Sequence, residues 1–95
     1  MDEKNAYLQK LHIKFDELNA KIDKMKVNAG TIRAEKQMEI QKSIKNLQAK
    51  RKAIEKMVED LRAAGEKTWE DLKTDIDSAW DSLQEDLKRA ESRCK

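Results

Sequence analysis

Proline is absent, glycine occurs twice and cysteine once, and the aromatic residues are two Trp, one Tyr and one Phe. So few aromatics argue against a sandwich or barrel of short aromatic-rich strands, and the missing prolines exclude collagen-like and proline-rich folds. The apolar runs are two or three residues long, far short of the roughly 20 that cross a bilayer. No apolar block follows the opening MDEK, so neither a secretory leader nor a membrane span is expected. Cys94 has no partner for an internal disulfide, which fits a reducing, cytoplasmic setting. What remains is a 95-residue chain with 42% charged residues and a net charge of +2, enough for one small helical domain.

The charge is unevenly divided. Residues 1–65 hold 15 Lys/Arg against 10 Asp/Glu, whereas 66–95 hold 6 against 9. A basic longer part and an acidic C-terminal part favour docking of one on the other, within a chain or between chains, although each surface pair adds only about 0–1 kcal/mol.

Large apolar residues recur at Leu8, Leu11, Phe15, Leu18, Ile22 and Met25, a strict alternation of three and four that marks heptad positions a and d. The rhythm returns at Ile40, Ile44, Leu47, Ile54, Val58 and Leu61, with Arg51 at an a position. These residues define a self-association seam in which Arg51 selects register or, more plainly, snorkels at an exposed edge. Met25 to Ile40 spans 15 residues rather than 14, so the phase slips, and Lys36 falls where the slipped pattern wants an apolar group. A slip of this kind is absorbed by local unwinding or marks a turn.

Asn28-Ala29-Gly30-Thr31 offers a Gly for a helix C-terminus and a Thr for the next N-cap. Ala63-Ala64-Gly65-Glu66-Lys67-Thr68 is the stronger punctuation because charge sign and repeat both change there. The main turn is placed at 64–67, with Thr68 and Asp71 as a capping box opening the last helix. That helix carries an internal repeat, WEDLKTDIDSA (69–79) followed by WDSLQEDLKRA (80–90). At about 100° per residue, Trp69, Leu72, Ile76, Trp80, Leu83 and Leu87 share an arc of about 80°, a face suited to a partner helix or a lipid surface.

DELNAKIDKM (16–25), EIQKSIKNLQAKR (39–51) and WEDLKTDIDSAWDSLQEDL (69–87) together resemble a group of short bacterial stress-associated coiled-coil proteins. The resemblance covers most of the chain and implies one long helix and no catalytic residues. Asn28 and Gly30 depart from the Ala-rich middle of that family. The Trp-led eleven-residue units are also similar, in composition, to amphipathic repeats of exchangeable apolipoproteins and desiccation-associated proteins.

Few residues suggest chemistry. His12 is the sole His, which removes His-rich zinc sites and paired Glu-x-x-His di-iron sites; its i,i+4 partner Asp16 leaves only a weak metal site across an oligomer. Arg93 and Lys95 flank Cys94, but no His stands nearby to activate the thiol. The two Gly are 35 residues apart, so no phosphate-cradling loop exists. Asp75/Asp77 and Glu85/Asp86 sit at spacings that point apart on a helix and serve solvation. No enzyme, metal or cofactor is therefore expected. Lys42, Lys45, Lys50, Arg51, Lys52 and Lys56 form a basic stretch open to nucleic acid, diluted by Gln37, Glu39, Gln41, Glu55 and Glu59. Lipid binding is opposed by the eight acidic side chains of residues 69–93 against four basic ones.

The expected architecture is all-α: one domain over 1–95, a coiled-coil hairpin with a long helix over 4–63 and a return helix over 68–94. A continuous 4–63 helix would be about 90 Å long and the return helix about 40 Å, leaving an N-terminal seam for a second chain. The rival is a compact three-helix bundle with an extra turn at 28–31. Function is expected to be that of a non-enzymatic, self-associating scaffold or stress-associated interaction module, with another helical protein as a further partner. Reversible membrane-surface binding is the alternative and nucleic-acid association the weaker one.

Overall fold

A computed structural model describes residues 3–93, which form three helices: α1 (Glu3–Ala29), α2 (Ala34–Ala63) and α3 (Trp69–Arg93). They lie side by side in a body of 50 × 19 × 17 Å, the length expected of one 30-residue helix. Tyr7 and Phe15 of α1 meet Trp69 and Trp80 of α3, so α1 and α3 run parallel, with α2 antiparallel between them in sequence.

The unbroken 4–63 helix is therefore corrected: the chain reverses at residues 30–33. The physical reason is burial. A rod would leave Leu11, Leu18, Ile22 and Met25 in water, whereas in the bundle each is at most 3% exposed, and each such side chain gains about 1.5–3 kcal/mol on burial. That outweighs the few helical bonds lost in reversing the chain.

The turn differs in detail from the sequence expectation. Gly30 N–H donates to Val27 O (3.2 Å) and Thr31 N–H to Asn28 O (3.0 Å), a tightening of the last turn of α1. Gly30 has no positive φ, so its special backbone freedom is not used. Thr31 is not the N-cap of α2; its hydroxyl donates back to Asn28 O (2.9 Å). Arg33 is the capping residue, in extended conformation and without a side-chain bond, and Gln37 Nε2 instead donates to Ile32 O (2.8 Å). Lys36 is exposed in the first turn of α2, so the slipped phase needs no apolar group there.

The second turn falls where it was expected. α2 ends at Ala63, the N–H groups of Thr68 and Trp69 both donate to Gly65 O, and α3 begins at Trp69. Among the described residues no side-chain bond joins Thr68 and Asp71, so the capping box does not form. Lys4 Nζ reaches across from α1 to the carbonyls of Arg62 (2.7 Å) and Ala64 (2.9 Å), placing a cation at the negative end of the α2 dipole.

Candidate functional site

The residues assigned to a self-association seam form the interior of one chain. Ile40, Ile44, Leu47, Ile54, Val58 and Leu61 are buried with Leu11, Leu18, Ile22 and Met25, while Leu8 and Phe15 are half-buried against them. Within one chain these residues pack on one another, because the turn at 30–33 brings the two halves of the seam together. The face assigned to a partner helix or lipid is likewise inside: Trp69, Ile76, Trp80, Leu83 and Leu87 are buried and Leu72 packs at their edge. Its partner helices are α1 and α2 of the same chain. Phe15 meets Trp80 edge-on at 5.1 Å, and Tyr7 lies 6.4 Å from Trp69, within the range where ring pairs add to simple burial.

Charged residues beside the core are matched. Asp86 of α3 accepts from Lys50 and from Asn46 Nδ2 (3.1 Å), and Lys50 also donates to Ser82 (3.1 Å). The Lys50 bond, aided by Asn46 and Arg89, holds the Asp86 carboxyl below its ordinary range against a smaller opposing effect of burial. Arg93 Nη1 donates to Ser43 (3.1 Å) farther along the same α2–α3 groove. On the other side, Tyr7 Oη donates to Asp77 (2.6 Å); burial first, and then this bond, push the phenol pKa well up. Arg51 bridges α2 and α1 through Asn19 (2.7 Å), with Glu55 at 3.6 Å, and its buried Nε has no hydrogen-bond partner. Trp80 Nε1 is a second buried donor without one.

The outward faces are different. Lys42, Lys45, Lys52 and Lys56 are all exposed, and at about 100° per residue they fall within an arc of about 80° opposite the buried stripe of α2. Glu55 and Glu59, which dilute the linear run, turn to one side of this arc, toward the α1 groove. On α3, Glu70, Asp71, Asp81 and Glu85 are exposed on the arc opposite its own buried stripe. Among the described residues none of these eight side chains is in an ion pair or hydrogen bond. A helical projection of residues 42–56 would have disclosed the lysine stripe; a linear reading mixed it with its flanks.

His12 and Asp16 stand 3.6 Å apart and largely exposed. His12 lines a shallow α1–α2 cleft of about 240 Å³ floored by Leu8, Leu11, Phe15 and Val58, a feature the heptad pattern does not announce. Ile13, 58% exposed, lines an adjoining surface depression with Leu8, His12 and Arg62. Among the described residues no three His, Cys, Asp or Glu converge on a metal-sized position, and no helix is long and apolar enough to cross a membrane. Cys94 lies outside the described residues. Comparison with known protein families, with curated proteins and with solved structures gives no match.

Proposed function

We propose that this chain is a non-enzymatic, self-associating helical interaction module, working in a reducing, cytoplasmic setting and assembling through its outer surface. The observation that carries the reading is the sorting of charge. The apolar stripes of all three helices close on one another, so the folded chain offers a partner chiefly charged faces of defined sign and length. The heptad pattern suggested association through the seam; the reading here moves that association to the outside of the bundle. A stress-associated scaffold of the kind the sequence resembles would use such a module without chemistry of its own. The test is sedimentation velocity over a wide concentration range. A mass that rises above the 11.1 kDa chain with concentration supports the reading, and a constant monomer at every concentration ends it.

A further inference from the structure

The two outer stripes share a length and a pattern. Lys42 to Lys56 and Asp71 to Glu85 each span 14 residues, about 21 Å of helix. Each has charges at both ends and small residues in the middle, Ala49 on α2 and Thr74 and Ser78 on α3. A constant offset of 29 residues inverts the sign along the stripe. Lys42, Lys52, Lys56 and Asp60 correspond to Asp71, Asp81, Glu85 and Arg89, the terminal change of sign included. Lys45 and Glu70 alone face uncharged counterparts, Thr74 and Gln41.

These faces cannot meet within one molecule. Each points away from the buried stripe of its own helix, and the polar side chains in the α2–α3 groove, Lys50, Asn46, Ser82 and Asp86, are already joined to one another. We propose that the occupant of the α2 lysine stripe is the α3 acidic stripe of a second copy of this chain, joined head to tail. The direction follows from the offset. Sign inversion at a constant offset calls for α2 and the neighbour's α3 to run parallel. Because α2 and α3 are antiparallel within a copy, the neighbour is turned end for end. A perpendicular two-fold axis would set like stripe against like stripe, so the contact is heterologous: each copy offers its lysine stripe to one neighbour and its acidic stripe to another. Both stripes of an interior copy are then used, and association continues beyond two copies as concentration rises.

Met38, 65% exposed, shares the lysine arc at the start of α2 and adds an apolar contact. The contact is one helix wide at each pairing, smaller than the roughly 800 Å² per partner of a stable interface, and rests on exposed charge. The association is therefore weak and salt-sensitive. A polyanion is the poorer occupant, because the acidic stripe of α3 lies on the same narrow body and repels it.

This inference rests on the self-association reading and is tested so that the two can fail separately. Two full-length variants are made, one with Lys42, Lys45, Lys52 and Lys56 each changed to Glu, the other with Glu70, Asp71, Asp81 and Glu85 each changed to Lys. Circular dichroism and thermal unfolding select conditions where both are folded, which is expected because all eight side chains are exposed. In sedimentation velocity the unaltered chain is expected to associate at low salt and to dissociate as salt is raised. Each variant alone should associate about tenfold or more weakly, and an equimolar mixture should recover the association. A chain that associates equally well in high salt, or whose variants associate like the original, overturns the stripe pairing and leaves the self-association reading standing. A chain monomeric under every condition ends both. Duplex DNA added at low salt should bind no better to the unaltered chain than to the lysine-to-glutamate variant; lysine-dependent DNA binding by a monomeric chain would reassign the stripe to nucleic acid.

Discussion

The contacts of α3 with α2 and with α1 are built differently. Toward α2, small and medium aliphatic side chains such as Leu47, Ile54, Ile76 and Leu83 bring the backbones close, and Lys50, Asn46, Ser82 and Asp86 line the edge with mutual hydrogen bonds. Toward α1 the backbones stand farther apart, and the gap is filled by the rings of Tyr7, Phe15, Trp69 and Trp80. Close approach allows directional polar bonds to form along the groove. Wide spacing relies on bulky groups and leaves a donor such as Trp80 Nε1 unmatched. The difference teaches that α2 and α3 form the firmer pair and that α1 is the more readily released helix.

The largest expected effect comes from breaking the firm pair. Ile76→Ala, at a position with 0% exposure, should cost about 2–5 kcal/mol in denaturant unfolding and lower the protection of all three helices together. Phe15→Ala removes a half-buried ring from the looser contact, so a smaller loss of about 1.5–2.5 kcal/mol is expected. Native-state hydrogen exchange should show it as faster exchange in α1 with α2 and α3 little changed. Uniform acceleration in all three helices would erase the distinction between the two contacts.

Titration sharpens the same comparison from both ends of the pH scale. The Asp86 carboxyl is held low by Lys50, so its contribution is present above the ordinary carboxylate pKa of about 4 and is lost as pH falls through its lower folded value. The phenol of Tyr7 is shifted upward, so its contribution is present below the ordinary tyrosine pKa of about 10 and is lost as pH rises beyond it. Acid should therefore loosen the α2–α3 edge and alkali the α1–α3 edge. Asp86→Asn and Tyr7→Phe should flatten the respective limbs of a stability–pH curve. The smallest effect is expected from Arg51→Met, which removes a buried Nε without a hydrogen-bond partner at the cost of the bond to Asn19. Its stability change should lie within about 1 kcal/mol of zero, in either direction.

Much of this interior is written plainly in the chain. The a and d rows from Leu11 to Leu61 and the Trp-led face from Trp69 to Leu87 name the buried residues almost one for one. Their destination is not written there, because the same rows pack equally well against another chain or against their own. The decision lies in residues 30–33, where the local signals are faint: Gly30 adopts no conformation that requires glycine, and Arg33 caps α2 without a side-chain bond. Long-range matches were the hardest to foresee. Lys4 with the end of α2 and Tyr7 with Asp77 join residues about 60 to 70 positions apart, and no periodicity encodes such pairs. The lysine stripe was hidden for a simpler reason, since Glu55 and Glu59 are interleaved with it in sequence and separate from it only on the helix.

The two short reversals at 30–33 and 64–68 also govern how quickly this architecture can assemble. Each joins neighbouring antiparallel helices, so most native contacts lie between segments adjacent in the chain, while the α1–α3 rings and the Lys4 bonds must find partners across a long separation. Folds dominated by such local contacts reach the native state in microseconds to milliseconds. The α2–α3 hairpin, with its close backbones and bonded edge, is the natural nucleus, and α1 docks last through its aromatic side chains. Substitutions along α2–α3 should accordingly slow the folding limb of a chevron, whereas changes at Tyr7 or Phe15 should mainly quicken unfolding.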